Sequence, residues 1–329
     1  MKRMKEKGKN KDESANLQQT PKGDGIIRFM GKKSYFYHNC DVCKAYLFIL
    51  PAMLAFAIFV FWPIIETIYL SFFKWNMVKP VKEFVGFNNY IEIIKNPVTY
   101  KVLVNTGQYI LILLLINFIA PYILSFVLSS IIRKGKDLYK AVLFLPSVIS
   151  LVVGSILYTW ILNPVSGPAA LIAGKIGITL PVWSKTEGLV IVVLSLITSW
   201  KVFGYNFIVI LSGVMGVPQE IIEAARLDNV PSHRVFLDIV LPMSSATGIY
   251  VFIITIVQGL QYVFTPIKVI TQGGPNNGSA NLIYNSYKEG FLLFSTGTSS
   301  AFSMMTMVLF IILLVLEFKY VERGVYYEN

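Results

Sequence analysis

The sequence predicts an all-α polytopic membrane protein with six transmembrane helices, and three observations carry that prediction. Of the 329 residues, 55% are apolar and 14% charged, and the apolar residues gather in long blocks, which excludes an ordinary soluble domain. Six blocks reach the roughly 20 residues that a helix rising about 1.5 Å per residue needs to cross a hydrocarbon core about 30 Å thick. None has the alternation of apolar and polar positions over about ten residues that a membrane β-barrel strand requires.

Taken in order, residues 1–44 form a basic cytoplasmic tail with eleven Lys/Arg against five Asp/Glu, so this segment supplies more than half of the net charge of +11. Its few aromatics cluster at the membrane end, and it leads straight into an apolar run. That pattern fits an anchor beside anionic lipid and not a nucleic-acid-binding arm, and its composition predicts mobility. The charged region is too long for a signal peptide and no small-residue cleavage site follows, so the first helix is expected to stay. Cys40 and Cys43 form C-x-x-C near His38. The other histidine, His233, is far along the chain, so four zinc ligands are not at hand; free thiols, no metal site and no structural disulfide are expected.

The membrane domain, 45–329, has spans at about Ala45–Leu70, Tyr109–Ile132, Ala141–Leu162, Leu189–Leu211, Met243–Phe264 and Ala301–Phe318. Loops 71–106, 163–188 and 265–300 then share one side of the membrane with nine Lys/Arg. The other side, with the tail, the cluster Arg133, Lys134, Lys136, Lys140, the loop 213–242 and the residues after Phe318, holds nineteen. The positive-inside rule makes this richer side, and with it both termini, cytoplasmic.

Absent motifs narrow the function further. No H-E-x-x-H or G-x-S-x-G occurs, and the nearest approach to a phosphate loop, Gly31-Lys32-Lys33-Ser34, lacks the upstream glycine. No catalytic residues and no bound ATP are expected. Ionisable side chains within the spans are sparse: Glu66, Lys201 and Glu317. A proton-driven carrier usually buries more carboxylates, so the energy for moving a solute is expected from another protein.

The loop between spans four and five reads as two short helices. Pro218 suits a first turn, Glu220 and Glu223 lie towards the positive N-terminal end, and Asn229 can take the left-handed conformation that stops a helix. Pro231 and Ser232 open the second, with Phe236, Ile239 and Val240 on its apolar face. Small Ala224 and Ala225 would let another protein's backbone approach, with Glu223 and Arg226 at the rim. An amphipathic loop lying on the membrane surface is the plainer alternative.

The spaced pattern Glu223-Ala224-Ala225, Asp228, Phe236, Ile239, Leu241, Pro242 resembles the EAA loop of ABC-importer permeases. The resemblance implies the type I permease architecture and a coupling helix, with Glu223, Ala224, Ala225, Arg226, Asp228 and Asn229, that docks into a cleft of a cytoplasmic ATPase. Asn229 stands where the family usually has glycine; asparagine also tolerates a left-handed backbone.

Further segments are similar to the sugar-permease branch: Val85-Gly86-Phe87-Asn88-Asn89-Tyr90, Phe144-Leu145-Pro146, Asn163-Pro164 with Gly167, Trp200, and Thr271-Gln272-Gly273-Gly274-Pro275 followed by Tyr284, Tyr287 and Phe291. Gly273, Gly274 and Pro275 make a tight outer-loop turn. Pro168-Ala169-Ala170 departs from the branch, which usually has an asparagine soon after Gly167. The implied function is a permease subunit of an ATP-driven importer of di- or oligosaccharides in a bacterial cytoplasmic membrane. A second homologous permease, two ATPase subunits holding ATP and Mg, and an extracytoplasmic sugar-binding protein are the implied partners. Glycerol phosphate is the alternative cargo, and a self-contained secondary transporter the alternative of another class.

A sugar path should combine amide, hydroxyl and aromatic groups near mid-membrane. Span four offers Thr198, Trp200, Lys201, Tyr205 and Asn206. At about 100° per residue, Thr198, Lys201 and Tyr205 share a face. Resemblance to the larger permease subunit of maltose importers maps sugar contacts onto Thr198, Lys201, Val202 and Tyr205. It maps the second contact group onto Ile256, Gly259, Leu260 and Val263, which are not sugar-like. Gln258 and Gln261 are therefore the candidates in span five, with the tying of helices as the competing role for such amides.

Overall fold

The computed structural model describes Lys44, residues 46–78, 80–130, Ile132 and 135–320. His38, Cys40, Cys43 and the rest of residues 1–43 of the tail, with Arg133 and Lys134, lie outside the described residues. Among the described residues, five helices are long and apolar enough to cross a membrane, and a bent pair supplies a sixth. The chain divides into two compact units between Pro63 and Ile64. In the first unit, helix α1 (Tyr46–Leu70) begins and widens into a π turn at Ala57–Phe61.

The second unit holds the rest of α1 and everything after it. Strand β1 (Phe73–Lys74) pairs antiparallel with β2 (Glu83–Phe84), which sets Lys74 opposite Glu83. Gly86 turns the chain at φ +56°, and α2 (Asn88–Lys95) follows. Asn89 Nδ2 donates to the carbonyls of Ser71 (2.7 Å) and Phe73 (3.0 Å), and Tyr90 donates to Ser71 Oγ at 2.7 Å. The Val85–Tyr90 motif thus fastens the hairpin.

Helix α3 (Pro97–Ser130) is capped by Asn96, whose side chain accepts from Val98 N, with Pro97 in the first turn. It begins well before the expected Tyr109, because the polar residues that interrupt the apolar run have partners inside the protein. Asn105 donates to the carbonyls of Asn277 and Ala280, Tyr109 to that of Ser279, and Thr106 Oγ1 accepts from Leu282 N. Hydropathy alone cannot register such bonds.

The third span differs from its expectation as one helix over Ala141–Leu162. It is two helices, α4 (Lys136–Val148) and α5 (Leu151–Ile161), bent by 99°. Pro146 removes a donor in the last turn of α4, and Ile149 and Ser150 take extended backbone at ψ 139° and 134°. Three π turns, Ala57–Phe61, Leu115–Ile119 and Val235–Val240, each end two residues before a proline, Pro63, Pro121 and Pro242. The wider turn relieves the clash of the ring with the preceding carbonyl.

Next come α6 (Pro168–Lys175), α7 (Leu189–Met215), α8 (Gln219–Leu227), α9 (residues 232–243), α10 (Ser245–Thr271), α11 (residues 282–292) and α12 (Thr296–Tyr320). Among the described residues α7 is the most enclosed spanning helix. Three apolar clusters lie along α3 and α7 among the described residues, the smallest made of Leu128, Phe207 and Leu211; the other two are larger. One surrounds Tyr109, Leu194, Ile197, Leu282 and Tyr284; the other joins Tyr122, Phe126, Ile210 and Val214 to Ile222 of α8 and Val235 of α9. In lipid such packing gains van der Waals contact and hydrogen bonds instead of removal from water.

Candidate functional site

Two arrangements hold most of the candidate residues. The first is α8, set between the spanning helices α7 and α10. Pro218 stands at its N-cap with Glu220 in the first turn, which favours the positive end of the helix. At the other end Asn229 takes φ +56°. Val230 N donates to Ala225 O and Asn229 N to Arg226 O, the paired bonds of a Schellman stop. The helix therefore has a fixed C-terminal end.

Its faces divide cleanly. Ile222 and Ala225 pack inward against Val235 and the base of α3 and α7. Glu220, Glu223, Ala224 and Leu227 share the outward face, with Leu227 83% exposed. Ala225 is 8% exposed, which corrects the expectation that it presents a small surface to another protein: its small size serves its own fold. Arg226 also has an internal partner, donating from Nη2 to Ser130 O at 2.9 Å. Asp228 and Asn229 are exposed. In α9, Val235 and Val240 are buried, while Phe236 sets its ring 5.2 Å from that of Phe126.

The second arrangement is a cavity of about 330 Å³. Helix α4 contributes Phe144 and Ser147, α7 contributes Lys201, Val202 and Tyr205, and α10 contributes Gln258 and Tyr262. Tyr205 and Tyr250 hydroxyls lie 3.2 Å apart. Gln258 Oε1 is buried without a protein partner among the described residues. Lys201 Nζ donates to the carbonyls of Ser147 (2.8 Å) and Ile149 (2.7 Å).

Of the seven expected path residues, Lys201, Tyr205 and Gln258 meet at this cavity. The other four do not line it. Thr198 is fully buried and donates to Leu194 O within its own helix. Trp200 lies across Tyr158 of α5, ring centroids 5.3 Å apart. Gln261 is exposed.

Asn206 is buried and ties three helices, donating to Asn117 O of α3 at 2.8 Å and to Thr255 Oγ1 of α10 at 2.9 Å. Pro121 has no N–H to direct at the Asn117 carbonyl, so a donor from α7 takes that place. Ser147 and Tyr262 complete the lining and were missed by reading faces. A proline in an apolar run, which frees a carbonyl or bends a helix, is the signal that points to the region around Ser147.

The turn at Gly273, Gly274 and Pro275 is built into the fold. Gly273 takes φ +82°, and a Cβ there would meet the Tyr284 ring at 2.7 Å. Ser279 Oγ donates to Gly274 O at 2.6 Å. The following residues are the ones held by Asn105 and Tyr109 of α3.

Residues 133–325 match the family described as binding-protein-dependent transport system inner membrane component. The chain is 30% identical over 282 residues to the probable ABC transporter permease protein YurN of Bacillus subtilis, covering 85% of this chain and 96% of that relative. It is 29% identical over 285 residues to the sn-glycerol-3-phosphate transport system permease protein UgpA of Yersinia pestis, covering 86% and 95%. It is similar in fold to a chain of a bacterial ABC transporter involved in the import of the acidic polysaccharide alginate. That match has a TM-score of 0.76 at 19% identity, over 88% of this chain and 99% of the other. A second structure, a bacterial alginate ABC transporter in complex with alginate pentasaccharide-bound periplasmic protein, matches with a TM-score of 0.74 at 20% identity, over 85% and 94%.

Proposed function

The chain belongs to the family of binding-protein-dependent transport system inner membrane components, and on that premise we propose that it is one permease subunit of an ATP-driven importer of di- or oligosaccharides. It works in a bacterial cytoplasmic membrane with both termini inside. The observation that carries this reading is α8: an exposed helix, stopped at its C-terminal end by Asn229, held on the fold by Ile222 and Ala225 and lying in the chain between the spanning helices α7 and α10. An element of that kind can receive force from another protein and pass it to α7 and α10 as a rigid-body movement.

In this reading Glu223, Ala224 and Leu227 meet an ATPase subunit, while Ala225, Arg226 and Asn229 keep the helix in place for it. Asp228 lies at the rim of that contact. The chain itself catalyses nothing; ATP and Mg belong to two ATPase subunits. A homologous permease supplies the other half of the path, and a sugar-binding protein delivers cargo from outside. Cargo passes the cavity at Tyr205, Gln258 and Lys201, where hydroxyls and an unpartnered amide oxygen suit a polyhydroxylated solute. The Gly273–Pro275 turn holds the outer end of the path in shape.

Glycerol phosphate, the cargo named for one relative, would call for several cations along the path. Lys201 is the one charged side chain among the described residues lining this cavity. The test is recovery of the tagged chain from its native membrane in detergent, followed by mass spectrometry. A second six-span permease and an ATPase are expected in the recovered complex. A chain that comes out alone and carries solute unaided in liposomes would make it a secondary transporter.

A further inference from the structure

We propose that Lys201 is a positioning residue: its ammonium group caps the carbonyl end of α4, braces the 99° break in the third span, and thereby sets the wall of the cavity without itself being a receptor for anionic cargo. The part that concerns cargo rests on the importer reading above. The capping itself stands on geometry.

The break makes the need. Where Ile149 and Ser150 leave helical backbone, the carbonyls of Ser147 and Ile149 lose the donors that a continuing helix would supply. Inside a membrane each carbonyl left open is costly, because no water can replace the donor. Lys201 Nζ reaches both, at 2.8 and 2.7 Å, which are short charge-assisted bonds and occupy two of the three N–H groups of an ammonium. The end of α4 is also the negative end of its dipole, so the positive charge has a compensating field there.

One helical turn along α7, Gly204 shapes the same contact. A Cβ at Gly204 would collide with Leu143 O and lie 2.7 Å from Phe144 Cα, so the α4 backbone is pressed directly onto α7. Gly204 seats the helix and Lys201 ties its end. Phe144 and Ser147 face the cavity as a result. A lysine with two of its three donors and its charge engaged in this way explains how a permease for di- or oligosaccharides carries a cation within a spanning helix.

The test is hydrogen–deuterium exchange on the full chain, purified with its co-recovered subunits, as wild type, Lys201→Met and Lys201→Arg. The Met variant is expected to exchange at least about tenfold faster in peptides covering residues 147–156, with the far part of α10 unchanged. Lys201→Arg, which keeps the donors and the charge, restores most of the protection. If the Met variant does not assemble, Lys201→Gln, with its donors on a shorter stem, gives an intermediate rate at the same peptides.

Wild-type protection in the Met or Gln variant, or equal loosening in the Met and Arg variants, overturns the proposal. A second arm adds galacturonate at millimolar concentration to the wild-type assembly and follows its melting temperature. No shift is expected, and a Lys201-dependent rise would make Lys201 an anion receptor after all. Exchange reads no transport, so a failed importer reading and a failed capping proposal give different results.

Discussion

The α8 segment and the Lys201 cavity are built in opposite ways. The first is contiguous: its start, its stop, its inward residues and its outward residues lie within one short stretch, and the backbone bonds that end it join neighbours. The second is assembled from α4, α7 and α10, and its polar groups divide their bonds between the cavity and the backbone of other helices. A local pattern reveals a helix that another protein can grip. A polar residue in a spanning helix does not reveal which way its bonds go, because its partner can lie on a distant helix.

Breaking the α4–α7 contact should have the largest effect. Gly204→Val places atoms against Leu143 O and Phe144 Cα, and a backbone cannot give way as a flexible side chain does. The variant should lose about 3 kcal/mol of stability, read as a lower melting temperature and faster exchange in α4.

The next effect separates the two alanines. Ala225→Phe, forced among Ile222, Val235 and Phe126, should cost about 2 kcal/mol. Ala224→Phe, on the exposed face, should leave melting unchanged while ATP hydrolysis by the purified assembly loses its link to uptake. Equal melting of the two variants would contradict the division of faces.

Asn229→Ala keeps the chain at φ +56° with a residue ill suited to it, at about 1 kcal/mol, and should loosen exchange at residues 225–230. Asn229→Gly should not.

The smallest effect lies at the opposite end of the fold. Lys101 Nζ donates to Glu187 at 2.9 Å and holds its carboxyl below the ordinary glutamate range. A lowered folded-state pKa contributes stability that is complete above about pH 4.3, the value of a free glutamate, and is lost as the pH falls below it. The pair is exposed and screened by salt. Lys101→Ala should therefore show a slight melting deficit at pH 7 that shrinks as the pH falls below the ordinary glutamate range.

Much of the fold was legible because lipid restricts the choices. Continuous apolar runs located the spans, and Asn229 in the left-handed region was foreseen from its place after a short amphipathic run. The early start of α3 was not, because Asn105 and Thr106 look like loop residues until their bonds to residues 277–282 are known. The bent third span escaped because hydropathy carries no dihedral angle.

In the candidate site, the shared face of Lys201 and Tyr205 was readable from helix periodicity, and both reach the cavity. Thr198, on that same face, instead bonds its own helix, and Asn206 serves a carbonyl near Pro121, far away in sequence. Ala225 was misread for a related reason: periodicity orders the faces of α8 but does not say which one meets the fold.

The measurement that bears most directly on the central claim is photocrosslinking in the native membrane with benzoylphenylalanine introduced at position 224, on the outward face of α8, and separately at position 205, in the cavity. The account predicts an adduct with a co-resident ATPase from position 224 and none from position 205. No ATPase adduct from position 224, or an equal one from position 205, would contradict it.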